Sequence, residues 1–208
     1  MKRNLLRAVS AVTVLASLFF LSATASSATP EGADIAPEAR IALERVTETG
    51  ILSEADRETL LRHPDIAAML VDPRPTAVET GGTTTRDVAS EKEFGASACW
   101  ISEWFIDGFT VLGSHAYRWH HRADWCENGS SVTSVHYRNG WATQLATFFY
   151  YRGIANDTVT PIPSFEVQST MQGLIENCHP LGGCTNMNHP WVKHILRANL
   201  TGWSERGH

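Results

Sequence analysis

The stretch Tyr117–Trp141, YRWHHRADWCENGSSVTSVHYRNGW, decides how the rest of the chain is read. Aromatic, histidine and arginine residues alternate along it, and Asn-Gly interrupts it at Asn128-Gly129 and Asn139-Gly140. Alternation with a period of two marks a half-buried strand. Asn-Gly is the strongest short hairpin signal, because a two-residue type I′ loop needs positive φ at both positions. The stretch therefore predicts three antiparallel strands. With two-residue loops, one row reads Trp119–Arg138–Trp141, the next His121–His136–Thr143, and Ala123–Ser134–Leu145 follows. Arg118, His120, Arg122, Asp124 and Cys126 fall on the opposite face. His120 and His121 then point to opposite sides and cannot share a metal ion.

That register defines an expected ligand-binding platform of Trp119, Arg138, Trp141, His121 and His136. The two indoles would stack on a planar or sugar ring, while Arg138 and the imidazoles hydrogen-bond it. The same cluster also reads as a structural one, since arginine over tryptophan is favourable by roughly 0.5–2 kcal/mol without any ligand. A metal at His121 and His136 would need a further ligand. His115 shares their face but lies two rows away, so no metal is assigned. All of this depends on loop length, because a slip of one residue moves every side chain to the other face.

Outward from this stretch, Ala96–Phe109, Leu145–Arg152, Phe165–Leu174 and Trp191–Leu200 have strand composition. Trp100, Trp104 and Ile106 share one face of the first. Val192, Leu196, Ala198 and Leu200 share one face of the last. Short strands and frequent turns predict a mainly β fold, an antiparallel sandwich or barrel. All seven tryptophans and all four tyrosines follow residue 96, which marks the boundary of this domain, residues 96–208.

Before it, residues 73–95 (DPRPT, TGGTTT and several charges) have the composition of a flexible linker. Residues 29–72 read as a short helical segment. Ala39, Ala42, Leu43 and Val46 recur with helical period over Pro37–Thr49, and Gly50 supplies a stop. Ser53 with Asp56 resembles a capping box, and Pro64 suits the first turn of another helix over Asp65–Val71. These helices carry too few large apolar residues for a core of their own, so they either dock on the β domain or act as a pro-segment or spacer. Residues 1–28 read as a secretory signal peptide. Lys2, Arg3 and Arg7 precede an apolar run, Ala11–Leu21, and Ala23-Thr24-Ala25 matches a small-residue cleavage site, with Ala28 as a second. The run is too short to span a bilayer comfortably, so the expected protein is secreted and extracellular.

Without Lys2, Arg3 and Arg7 the 17 basic residues fall to 14 against 22 acidic ones, a net charge of −8. Neither half carries the basic footprint that nucleic-acid binding needs. The four cysteines, Cys99, Cys126, Cys178 and Cys184, favour disulfides in an exported chain and allow three connectivities. Cys178–Cys184 would close the short HPLGG loop, and Cys99–Cys126 would staple two strands; these are the preferred pairs. A zinc site is the rival, with His179 and His189 beside the loop, but the close C-x-x-C spacing is missing.

Cys99-Trp100, Trp125-Cys126 ahead of Val132-Thr133, Tyr151-Arg152-Gly153, Cys178 with Gly183-Cys184, Pro190-Trp191 and Gly202 form a scattered pattern over Ala96–Trp203. In it the domain resembles small exported actinobacterial proteins of unknown function. The resemblance implies export, a β-rich fold and paired cysteines, and transfers no catalytic or binding residue.

No G-x-S-x-G elbow, H-E-x-x-H, Walker loop or Rossmann fingerprint is present, so no catalytic residue and no cofactor is assigned. The expectation is an extracellular binding module for a carbohydrate or another cell-surface ligand. A secreted hydrolase, and a structural or interaction module without a small ligand, are the alternatives.

Overall fold

The computed structural model describes residues 35–74, 78–96, 98–179, 183–199 and 203–207. Residues 1–28, expected as a signal peptide, lie outside them. The described residues belong to one compact unit. Among them no helix is long and apolar enough to cross a membrane.

The helical segment forms as its sequence suggests. Helix α1 (Pro37–Thr49) has proline in its first turn and ends on Gly50 in the left-handed conformation, whose N–H returns to the Val46 carbonyl. Helix α2 (Glu54–Leu61) is capped by Ser53, whose hydroxyl accepts from the Asp56 N–H. The third helix, α3 (Pro64–Ala67), is shorter than expected. Of the two roles open to this segment, the chain takes docking. Ala42, Val46, Leu52, Leu60, Ile66, Ala67 and Leu70 pack with Val111, which comes from the loop after strand β2 (Ala98–Phe109). The Val111 N–H donates to the Leu70 carbonyl and the Asp72 N–H to the Phe109 carbonyl, each at 2.8 Å.

Two antiparallel sheets follow, and they do not close into a barrel. One has the order β1 (Val78–Arg86), β2, β3 (His115–Glu127), β4 (Val132–Thr143). The other runs β5 (Phe149–Val159), β6 (Glu166–His179), β8 (Trp191–Arg197), β9 (Trp203–Gly207), with β7 (Gly183–Asn188) beside the far end of β6. Inward side chains of both sheets share one core. Ile106, Tyr117 and Trp119 meet Phe149, Met171, Ile175 and Val192, and Trp125 and Val132 meet Val167 and Leu196. The fold is an open sandwich.

Residues 73–95, expected as a linker, instead hold β1 and a short helix, α4 (Val88–Phe94). Strand β1 is exposed almost throughout and brings little apolar surface, so its composition hides it. Ladder bonds to β2 hold it, and its Gly81-Gly82 pair lies under the rings of Phe105 and Trp104. A Cβ on Gly82 would stand 2.4 Å from the Trp104 ring. Glycine is therefore what lets those aromatics lie across the edge strand.

Cys99 pairs with Cys126 and Cys178 with Cys184. The first bridge joins directly opposed residues of β2 and β3. The pairs satisfy all four thiols, so the zinc reading of the second loop is set aside, and two disulfides fit an extracellular protein.

The register of Tyr117–Trp141 departs from expectation in two places. Asn128-Gly129 does turn the chain, but within a four-residue loop, Asn128–Ser131. There the Asn128 Oδ1 accepts from the N–H groups of Ser130 and Ser131, and Gly129 takes φ 87°. Irregularities beside Trp125 and Glu127 then shift the pairing, so that Trp119 opposes Ala142, His121 opposes Gly140 and Ala123 opposes Arg138. Asn139-Gly140 is no turn at all: it lies inside β4. Gly140 is required by packing. A Cβ there would come 2.7 Å from the Trp119 ring, and one on Gly173 of β6 would come 2.6 Å from it. The indole of Trp119 sits between two glycines contributed by two different sheets, a constraint invisible to a turn rule.

Candidate functional site

The structure separates the five residues of the expected platform. Trp119 is fully buried between the sheets. Arg138 also points inward and ties the sheets together. Its Nε donates to the Ser169 Oγ at 2.8 Å, its Nη2 to the Thr158 and Thr170 carbonyls, and its Nη1 pairs with Asp157. With those partners it is a structural tie. Trp141, one residue beyond Gly140, lies on the outer face, where its ring stacks on His120 at 4.8 Å and 6°. His136 is on that outer face too, against Phe94 of α4 and 3.9 Å from the Cys126 sulfur. The irregularity near Trp125 reverses it. The Trp119–Arg138–Trp141 row therefore does not form, and His121 does not meet His136. The expected split of His120 from His121 does hold.

The outer face is self-satisfied. Arg118 lies over Phe105 at 3.8 Å and forms a bidentate pair with Asp107; His120 bonds Glu103 and Thr143 on its two nitrogens. With His120 and Trp141 stacked on each other, the faces in contact are closed to a ligand.

Inside, His121 meets a partner that sequence reasoning did not name. Its ring lies 4.4 Å from that of His194 on β8, edge to face. A carbonyl fixes one nitrogen of each imidazole as a donor, and burial keeps both rings neutral. His121 donates from Nδ1 to the Val192 carbonyl at 3.0 Å and accepts the Ser169 hydroxyl at Nε2. His194 donates from Nε2 to the His121 carbonyl at 3.0 Å, which leaves its Nδ1 as an acceptor. Burial, reinforced by His194 and Arg138, pushes His121 down to about 2; burial, with Arg138 and Arg206 adding to it, lowers His194 to about 4.

Two hydroxyls approach the single acceptor lone pair of His194 Nδ1: Ser204 at 3.1 Å and Ser102 at 3.2 Å, with Thr84 a further 3.0 Å from Ser102. These groups floor a cleft of about 80 Å³ between the β1–β2 side of one sheet and the β8–β9 side of the other. Its walls are the indoles of Trp104, Trp125 and Trp203, with Ile195 and Leu196. Trp203 is 46% exposed, and the buried Trp125 Nε1 has no partner among the described residues. The count of donors is decisive. Ser204 and Ser102 compete for one imidazole lone pair and Thr84 bonds only Ser102, so whichever hydroxyl donates to the ring, one hydroxyl proton of the three is left without a partner in this network. The cleft offers donors and apolar walls, the requirements of a ligand with acceptor oxygens and C–H faces.

Acyl-transfer chemistry is poorly served here. A serine–histidine pair needs a base whose pKa lies near the working pH and whose second nitrogen is oriented by an acid. His194 titrates near 4, its second nitrogen is committed to a main-chain carbonyl, and no carboxylate lines the cleft among the described residues.

One signal for this site was present in the sequence. In the expected strand Trp191–Leu200, His194 falls between Val192 and Leu196 on the inward face, a polar residue in an apolar row. Trp203 and Ser204 gave no comparable signal, because a five-residue edge strand near the end of the chain is too short to show alternation. Compared with known protein families, with curated proteins and with solved structures, the chain matches none.

Proposed function

We propose that this chain is an exported binding module that takes the terminal ring of a glycan chain into the cleft floored by His194, Ser102 and Ser204. The observation that carries this reading is the combination of indole walls with a surplus hydroxyl donor in one cleft at the edge of the sandwich. Pyranose rings present axial C–H groups to aromatic surfaces and oxygens to donors, and the cleft volume is enough for several water-sized groups, the edge of one ring. Export rests on the Lys2/Arg3/Arg7 and Ala11–Leu21 pattern together with the two disulfides. The resemblance to small exported actinobacterial proteins agrees with export and adds nothing about the ligand.

A glycan array probed with the mature protein tests this, with Trp203→Ala and Ser204→Val as cleft variants and Trp141→Ala as the outer-face control. The cleft reading expects signal on a subset of glycans that falls at least tenfold for the cleft variants and persists for Trp141→Ala. Loss confined to Trp141→Ala would transfer the site to the outer face. Equal binding by all four proteins would end the reading.

A further inference from the structure

Charge balance around the cleft says more about what it takes. Three cations stand on β8 and β9 near it. Lys193 is paired with Glu205, and Arg197, which lies over Trp203, is paired with Glu166. Arg206 differs. It sits two residues beyond Ser204 on the same inward face of β9, with its Cζ 4.6 Å from the ring centroid of the cleft wall Trp104. Its Nη1 is shielded from solvent and has no hydrogen-bond partner among the described residues. Among the described residues no carboxylate offsets its burial, which lowers its affinity for its proton, and its charge in turn depresses His194 on the cleft floor. Arg206 is partly buried, and a cation so placed gains from a counter-charge that a ligand supplies. The buried network contributes nothing negative, because both imidazoles are neutral and the hydroxyls carry no charge.

We propose that the missing counter-charge arrives with the ligand: the cleft takes a sugar ring bearing a carboxylate, a hexuronic acid, and the guanidinium of Arg206 pairs with that carboxylate while the ring lies among the indoles. A planar guanidinium held over Trp104 keeps N–H groups in its own plane for the two oxygens of a carboxylate. This rests on the cleft reading and adds the charge of the ligand to it.

The probes are hyaluronan, alginate and polygalacturonate oligomers, each beside its carboxyl-reduced counterpart, which keeps the ring and loses the charge. Wild type is expected to bind at least one acidic oligomer about tenfold or more tighter than its reduced form. Arg206→Gln should remove that preference, and Arg206→Lys should keep part of it, since the charge stays and the planar fork goes. Trp203→Ala should weaken acidic and reduced forms alike. Thermal unfolding of each variant shows that the fold is retained. Equal affinity for acidic and reduced oligomers, a preference for the reduced ones, or a preference that survives Arg206→Gln overturns the acidic ligand and leaves the cleft standing. Absence of binding to any of these probes and to every glycan of the array overturns both.

Discussion

Lowering the pH from about 7.5 to about 5 should destabilise this protein far more than its carboxylates alone would allow. In the unfolded chain His121 and His194 titrate near ~6.5. The fold holds them near 2 and near 4, with both rings buried and each nitrogen already engaged. Because the folded values lie below the unfolded one, the stability they represent is complete above about pH 6.5 and is lost as the pH falls, since the unfolded state takes up protons that the native state refuses. Each imidazole contributes a slope of about 1.4 kcal/mol per pH unit, so at pH 5 each costs about 2 kcal/mol and the pair about 4 kcal/mol. His120, also lowered by burial, acts in the same direction. The carboxylates held below their ordinary range, Asp107 among them, keep their contribution down to about pH 4 and lose it only below, so they stay out of this window. For a domain of this size about 4 kcal/mol corresponds to a fall of roughly 10 °C in Tm. Urea unfolding followed by tryptophan fluorescence, disulfides intact, at several pH values between these limits measures the slope. His194→Gln should remove close to half of it, whatever it does to stability at neutral pH. Stability that is flat between pH 7.5 and 5, or a slope untouched by His194→Gln, would refute the assignment of two neutral buried imidazoles.

Two further outcomes follow from the packing and the cross-links. Gly173→Ala brings a methyl group to 2.6 Å from the Trp119 ring and should cost about 1–3 kcal/mol, seen as a lower urea midpoint with an unchanged m-value. Opening the Cys99–Cys126 bridge by paired serine substitution, with a separation of 27 residues, should cost about 3.5 kcal/mol, against about 2 kcal/mol for Cys178–Cys184 with its separation of 6; equal losses in chemical unfolding would contradict the loop-length argument.

Local and periodic features are legible in the amino-acid order. Helix α1 begins at Pro37 and ends before Gly50 because proline and glycine suit those positions and few others. Ser53 caps α2 through a contact three residues long. The period-two pattern placed Trp100, Trp104 and Ile106 on one face and set His120 opposite His121, since alternation reports side regardless of partner. Even the disulfide pairs were within reach, through a short loop and a strand-to-strand staple. Everything that joins distant segments depends on how the strands pair and the sheets pack. A four-residue loop and two irregularities, rather than Asn-Gly alone, chose the partners of β3. Gly140 is a glycine because Trp119 passes over it, not because the chain turns there. Strand β1 exists because an edge of β2 needed a partner, and its own composition says linker. The cleft is the extreme case. Ser102 and His194 lie 92 residues apart and touch only because two sheets stack. Periodicity tells each side chain which way to face, and contains no information about which face will cover it.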